Sequence, residues 1–129
     1  MSKQKAPRRV GENEALSVGT TIRGSAQKLN LVAALIRGRK VEEAMNILSF
    51  SKRAMAVDAR KVLASAIANA ENNHNLDVDA LIVHEASVGK SITMKRFHTR
   101  GRGKSTRILK PISRLRIVVR EVTEQAGEA

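Results

Sequence analysis

The sequence has no cysteine, tryptophan or tyrosine, and only two phenylalanines among 129 residues. Without cysteine, disulfides, thiolate zinc sites and cysteine nucleophiles are excluded. No apolar run approaches the roughly 18 residues of a membrane span, and the N-terminal segment lacks the apolar core of a signal peptide. Hydrophobic residues make up 42% of the chain and aromatic residues 2%. We therefore expect one soluble domain with a small aliphatic core.

Acidic residues are missing from residues 90–120, which hold eleven lysines and arginines. Residues 1–40 carry a net charge of +7, residues 41–89 carry −3, and residues 121–129 carry −3, for a total of +12. Such an excess causes self-repulsion unless a polyanion neutralises it, and nucleic acid is the commonest one, followed by an acidic membrane surface. The pattern predicts a near-neutral body with basic extensions, and it disfavours a merely solvated charge run.

Three segments with helical periodicity predict helices in the body. Ser25 offers an N-cap for the first helix and Gly38 a stop, while Ser51 offers an N-cap for the longest, roughly residues 52–73. The apolar positions are Leu29, Val32, Ala33 and Ile36 in the first, Val41, Ala44, Met45 and Leu48 in the second, and Met55, Ala59, Val62, Leu63, Ala66, Ile67 and Ala70 in the third. Because many of these residues are alanine, neighbouring elements can approach the longest helix closely.

Strand periodicity appears before and after these helices. Residues 17–24 predict a short strand, and the period changes to two after Val78. There Leu81 and Val83 share one face, and Ile82, His84, Ala86 and Val88 share the other. Near the end, Leu115, Ile117 and Val119 form a core face, and Arg114, Arg116, Val118 and Arg120 form a largely cationic one. The predicted fold class is α+β, with three helices on a small antiparallel sheet.

A long basic β-hairpin, here called the arm, is predicted over about residues 86–112. Its sequence has few apolar residues, several β-branched ones, and Gly101 and Gly103 for a turn. Two strands of about ten residues, each rising about 3.3 Å, would project on the order of 30 Å. Its cations can bind phosphates: Lys95, Arg96, Arg100, Arg102, Lys104, Arg107 and Lys110. The alternative is a flexible solvated loop, and Phe97, the arm's single aromatic residue, is either a stacking or a hairpin-packing residue.

Catalytic and metal-binding patterns are absent from the sequence. His74, His84 and His98 are too scattered for a metal site, and Asp77 and Asp79 have the spacing of turn residues. No enzyme, metal or cofactor is therefore expected. A free nucleic-acid-binding regulator or chromatin-like protein stays open at this point, as does a membrane-active or enzymatic protein, although the basic segment lacks the apolar helical face that insertion requires.

Three strings together carry a family resemblance: SAQKLNLVAALIRGRKVEEAMNIL at 25–48, SAIANAENNHNLDVDALIV at 65–83, and MKRFHTRGRGKSTRILK at 94–110. They resemble the bacterial large-subunit ribosomal protein L-22 family, in order from about residue 20 to 120. The resemblance implies a cytoplasmic ribosomal protein bound to large-subunit (23S-type) rRNA and to neighbouring large-subunit proteins. It also implies that the arm lines the exit tunnel of the nascent polypeptide, with no cofactor, membrane or small-molecule substrate.

The resemblance also assigns residues to roles. Met94, Lys95 and Arg96 would face the tunnel near the macrolide pocket, and Arg100, Arg102 and Lys104 would lie at the distal end. The predicted rRNA-binding set is Arg23, Ser25, Gln27, Lys28, Lys90, Lys95, Arg96, Arg100, Arg102, Lys104, Arg107, Lys110, Arg114 and Arg116. The chain departs from the family pattern at Thr99, Pro111 and Arg114 and in VGKSI at 88–92. The expected organisation is a flexible basic extension at 1–16, one domain at 17–120, and an acidic tail at 121–129.

Overall fold

Three helices pack on a three-stranded antiparallel sheet in the computed structural model, which describes residues 2–122. The elements are strand β1 (Glu14–Arg23), helices α1 (Ala26–Ile36), α2 (Val41–Phe50) and α3 (Met55–His74), a 3-10 turn (Val78–Ala80), and strands β2 (Leu81–Thr99) and β3 (Ser105–Glu121). The α+β prediction is therefore confirmed, and the predicted long hairpin corresponds to the β2–β3 pair.

The strand order is β1-β3-β2, so β3 lies in the middle and pairs with both neighbours. The central position suits β3 because the C-terminal part of this strand, which includes residues 115–119, is the most apolar stretch of the sheet. Leu115, Ile117 and Val119 are fully buried on the side that the helices cover, as their alternation predicts. The same strand continues outward into the arm, which joins the arm directly to the core of the body.

Helix α1 begins and ends where the sequence predicts. The Ser25 hydroxyl accepts a hydrogen bond from the backbone N–H of Lys28, as an N-cap does. Gly38, at φ +75°, turns the chain so that its N–H donates to the Val83 carbonyl at 2.9 Å. Val83 N–H in turn donates to Arg39 O at 2.8 Å. The α1–α2 link thus covers the free edge of β2 and shields it from pairing with another chain.

Helix α3 packs closely because its buried face is mostly alanine. Its buried residues are Ala56, Ala59, Val62, Leu63, Ala66 and Ala70, while Met55 and Ile67 of the predicted stripe are partly buried. Strand β1 lies so near this helix that a Cβ added at Gly19 would be 2.6 Å from Cγ2 of Val62. Short side chains on both elements therefore set the thickness of the core.

The N-cap predicted for α3 is wrong. Helix α2 continues to Phe50, and Ser51 follows it as the C-terminal cap in an extended conformation. The Ser51 hydroxyl accepts the N–H of Arg53 within the connecting turn, and α3 begins only at Met55 after Ala54. Two consecutive helices that pack on one another need a few residues to change the direction of the chain, and this turn takes the residues that periodicity assigned to α3.

The faces predicted for β2 are also partly wrong. The register with β3 shifts between Val83 and Glu85, which leaves His84 as an extra, exposed residue. This β-bulge moves Ala86 to the core side, where it is buried with Val83. Strict alternation would have left Ala86 on the opposite side. A single inserted residue reverses every later face, and hydrophobic periodicity does not locate it.

Two element boundaries differ from those expected. Strand β1 begins at Glu14, inside the segment predicted as a flexible extension, and Glu14 pairs with Arg120. At the other end, Glu121 belongs to β3 and pairs with Leu81 instead of starting a tail. Of the rest of the predicted acidic tail, Val122 donates its N–H to the Ala80 carbonyl at 3.0 Å, and residues 123–129 lie outside the described residues.

The joint between β1 and α1 requires glycine. Gly24 has φ +136°, and its N–H donates to the Pro111 carbonyl at the base of the arm. We expect Gly24→Ala to lower the free energy of unfolding by about 1–3 kcal/mol, because this backbone conformation is strained for L side chains. Urea denaturation followed by circular dichroism measures the change.

Gly89→Ala is the matched control, because a Cβ there meets nothing within 4 Å and the backbone φ is not positive. This variant should change stability by less than about 1 kcal/mol. Equal stability of the two variants would contradict the strain assigned to Gly24.

Candidate nucleic-acid interface

Beyond a register shift between Lys90 and Thr93, the arm is a regular antiparallel ribbon closed by a tight turn. Its pairing runs without interruption from Thr93 opposite Pro111 to Thr99 opposite Ser105. At the turn, Arg100 N–H donates to Lys104 O at 2.7 Å, and Arg102 and Gly103 have φ values of +62° and +70°. In the described chain, no residue from 87 to 112 is buried. The arm therefore extends from the body and not across it.

The two faces of the arm follow from its register, because directly paired residues of antiparallel strands lie on the same side. We call one the inner face, since it continues the helix-covered side of β3; it carries Thr93, Lys95, Phe97, Thr99, Ser105, Arg107, Leu109 and Pro111. We call the other the outer face; it carries Met94, Arg96, His98, Thr106, Ile108 and Lys110. Both faces bear cations, so the arm has no neutral side.

The fourteen predicted rRNA-binding residues fall into four groups. The inner face holds Lys95 and Arg107; the outer side of arm and sheet holds Arg96, Lys110, Arg114 and Arg116; the turn holds Arg100, Arg102 and Lys104; and the base of the arm holds Arg23, Ser25, Gln27, Lys28 and Lys90. All of these are exposed except Ser25 and Arg116, which are half-buried. The cationic surface thus runs from the arm onto the sheet.

The predicted tunnel-facing trio does not share one direction. Met94 and Arg96 lie on the outer face, whereas Lys95 lies between them on the inner face. Successive residues of a strand point to opposite sides, so Lys95 faces away from Met94 and Arg96. Met94 is also half-buried, in contrast to its two neighbours. The family strings do not distinguish the two faces of the arm. If this part of the arm faces a tunnel, one face would present Lys95 and the opposite face would present Met94 and Arg96.

The base of the arm brings the start of α1 against β3. The Ser113 hydroxyl donates to Gly24 O at 2.6 Å, and Arg23 pairs with Ile112. Gln27 and Lys28 follow in the first turn of α1 with exposed side chains. Ser25 differs from them because its hydroxyl already accepts a hydrogen bond within the helix. Ser25 therefore positions this group, and the exposed side chains offer the contacts.

The charge of the arm is not compensated within the protein. Over residues 2–122 there are two ion pairs, Arg39 with Glu43 at 2.8 Å and Arg120 with Glu14 at 3.6 Å. Neither involves a cation between Lys90 and Arg116. Within residues 87–112 one side-chain hydrogen bond is present, from Arg96 Nη1 to the neighbouring Lys95 carbonyl at 2.8 Å. The guanidinium and ammonium groups of the arm are therefore available to an external anion.

A further cationic group lies at the α2–α3 turn, and the sequence analysis missed it. All four bases of residues 41–89 fall between positions 52 and 61, namely Lys52, Arg53, Arg60 and Lys61. Arg60 Nη1 lies 3.4 Å from Ser49 Oγ, which draws it to the end of α2, where Phe50 is 86% exposed. The net charge of −3 for this segment concealed the group, because six of its seven acids lie outside positions 52–61 and only Asp58 lies within them. Counting charge in shorter windows would have found it.

Other classes of site find little support in the described residues. No group of three or more histidine, aspartate or glutamate side chains within residues 2–122 is arranged to hold a metal. Among the described helices, none combines the length and apolar character needed to cross a membrane. A cavity of about 430 Å³ between α2, α3 and the 3-10 turn is lined by Val41, Met45, Ile67 and Leu81, with Lys40 and Asp79 beside them.

The fold and the site define a small α+β protein with a cationic arm whose charge is not neutralised among the described residues, an arrangement that suits a polyanionic ligand such as nucleic acid. Comparison with known proteins gives the family. Residues 17–120 match the family model of ribosomal protein L22p/L17e. The chain therefore belongs to this family; it is a structural ribosomal protein and not an enzyme, and its place is the cytoplasmic ribosome, as the sequence predicted.

Highly similar relatives are known in several bacteria, and each is a large ribosomal subunit protein uL22. The protein of Novosphingobium aromaticivorans is 88% identical over 124 residues, which cover 96% of this chain and 99% of the relative. The protein of Erythrobacter litoralis is 84% identical over the same shares. The protein of Mesorhizobium japonicum is 65% identical over 129 residues, covering 100% of this chain and 99% of the relative.

The positioning role of Ser25 is testable with two substitutions. Ser25→Ala should lower the free energy of unfolding by about 1 kcal/mol because the α1 cap is lost. Ser25→Asp should keep wild-type stability, since aspartate caps equally well and suits the helix N-terminus. Urea denaturation of both variants decides the matter. Similar losses in both would show that the hydroxyl does not act as a cap.

Proposed function

We propose that this protein is a structural constituent of the large ribosomal subunit that binds large-subunit rRNA and supports folding and assembly of the subunit. We further propose that the arm lines the exit tunnel of the nascent polypeptide. The observation that carries the proposal is the arm itself, whose cations lie on both faces and at the turn without an internal counter-charge. Family membership and the relatives' names support the same reading.

Cations on two faces favour insertion into RNA over docking on its surface. A protein that binds one side of a nucleic acid needs positive charge on one side only. Here Lys95 and Arg107 point one way while Arg96 and Lys110 point the other. Phosphates must therefore approach from both directions to neutralise the arm. Folded rRNA offers such an environment, because it brings separate backbone segments close together.

The chemistry of the arm suits recognition of RNA shape. Arginine and lysine bind phosphates whatever the base sequence, and arginine does so through two parallel hydrogen bonds. Each phosphate contact displaces condensed counterions, which favours binding and makes it depend on salt. By bridging segments that otherwise repel, the arm stabilises the folded rRNA. This is the physical basis of the proposed role in assembly.

The tunnel proposal rests on the length and the tip of the arm. About ten residues of strand carry the turn on the order of 30 Å from the body. The turn presents Arg100, Arg102 and Lys104, all exposed, at the narrow end of the arm, which would fit into a densely packed tunnel wall. The body would then lie at the outer surface beside neighbouring large-subunit proteins, and the tip beside the nascent chain.

Removing the charge of the turn tests the rRNA-binding proposal. The variant Arg100→Gln, Arg102→Asn, Lys104→Gln uses asparagine at the position with positive φ, because asparagine tolerates it. We expect the slope of log affinity against log salt to fall by about two to three units for large-subunit rRNA, one for each lost phosphate contact. Incorporation into large subunits should fall as well, while circular dichroism of the body stays unchanged.

The matched control removes three positive charges from the N-terminal segment through Lys3→Gln, Lys5→Gln and Arg9→Gln, all at exposed positions. Non-specific attraction predicts equal effects for the two triple variants, whereas arm insertion predicts the larger loss for the turn. A nearly flat salt dependence of the wild-type protein would refute rRNA binding through phosphates.

Deleting Met94–Arg96 tests the tunnel proposal. Losing three residues from one strand of a ribbon reverses the faces of the residues that follow, which should reshape the arm near its tip. We expect subunits still to assemble, but growth inhibition by a macrolide to change. The control is deletion of residues 4–6, which lie outside every strand and helix. Normal incorporation together with wild-type drug sensitivity would contradict the tunnel assignment.

A further inference from the structure

The exposure of Phe97 answers a question that the sequence left open. A hairpin-packing residue would be covered by its neighbours, yet Phe97 is 80% exposed. Met94 and Ile108, which are half-buried, lie on the outer face, whereas Pro111, the half-buried residue of the inner face, lies at the base of the paired part of the arm. Leu109, on the inner face with Phe97, is 56% exposed. The ring therefore contributes little to holding the hairpin together.

Two of the nearest neighbours of Phe97 on the inner face are cations, and Thr99, two residues later on the same strand, is uncharged. Arg107 is its direct partner across the ribbon, and Lys95 lies two residues earlier on the same strand and the same side. Leu109 pairs with Lys95 and is thus diagonal to the ring. An exposed aromatic ring with one positive group across the ribbon and another along its own strand is an arrangement that binds a planar ligand carrying adjacent negative charge.

We propose that Phe97 is a stacking platform for one unpaired base of the RNA that the arm enters, with Lys95 and Arg107 binding the adjacent phosphates. The proposal rests on the proposed rRNA binding and specifies the chemistry of one position in it. An aromatic ring stacks on any base, since every base has a π face, and unstacked bases in RNA loops are bound this way.

The surroundings favour RNA over a protein partner at this position. No acidic side chain exists in residues 90–120, so a peptide on the inner face would have to supply its own acids to meet Lys95 and Arg107. A nucleotide brings its negative charge with it, at a fixed distance on either side of the base. A protein partner is kept as an outcome of the test.

Because the chain lacks tryptophan and tyrosine, a fluorescence experiment can follow one introduced residue without background from others. The variant Phe97→Trp therefore creates a single reporter. With the full chain and isolated large-subunit rRNA, we expect its fluorescence to be strongly quenched on binding, because the indole stacks on a base. Leu35→Trp is the control, since Leu35 is 42% exposed on α1 and away from the arm. It should change far less.

Affinity for the same rRNA supplies a second measurement. Phe97→Tyr and Phe97→Trp should bind like the wild type, whereas Phe97→Leu should bind about tenfold more weakly, within the range for losing one stacked base. The salt slope should be the same for all of them, because stacking releases no counterions. The leucine variant keeps an apolar, strand-compatible side chain, so its folding is preserved.

Two results would overturn the proposal. Equal affinity of all variants with an unquenched tryptophan would mean that the ring stays in water; if the salt slope is still steep, rRNA binding stands and stacking alone fails. A tryptophan that is blue-shifted and brighter only within assembled subunits, but unchanged on rRNA, would indicate a protein partner. Failure of the wild type to bind rRNA would instead remove the proposed function itself.

Discussion

Uncompensated positive charge on the arm is the constraint on which the rest of the structure depends. Eleven bases follow one another without an acid from Lys90 to Arg120, and ion pairs in the described chain involve only the last of them. Neighbouring cations within the roughly 8–10 Å Debye length repel each other at physiological salt. An extended ribbon separates these charges more than a compact fold would. Such a ribbon suits surroundings that supply negative charge, as the proposed rRNA site would.

The body holds one end of this ribbon in place. Strand β3 runs through both parts, so burial of Leu115, Ile117 and Val119 fixes the strand from which the arm projects. Alanines on α3 let the helix lie close to the sheet, and this gives a thin, stable layer without aromatic residues. Gly24 and Ser113 then join the start of α1 to the arm's base. The C-terminal part of β3 is buried in the core, and its N-terminal part belongs to the charged arm.

The sequence predicts the helices, the sheet and the arm because each has a clear periodic or charge signal. It fails where one residue changes the geometry. The bulge at His84 moves Ala86 to the core side of the sheet. Ser51 caps the end of α2, because the chain turns there before α3 begins. The family resemblance assigns one shared role to Met94–Arg96, but strand alternation places Lys95 on the face opposite to its two neighbours. The exposure of Phe97 likewise depends on which residues share its side of the arm. The strand pairing in the structure shows this, whereas the sequence does not.

The most direct test of the central claim is amide hydrogen exchange of the arm, measured in the free protein and in assembled large subunits. If phosphates hold the ribbon, amides of the arm should exchange quickly in the free protein, because an isolated two-stranded ribbon is marginal in water. The body should remain protected. In the subunit the arm should become as protected as the body. Strong protection of the arm in the free protein, or fast exchange within the subunit, would contradict the account.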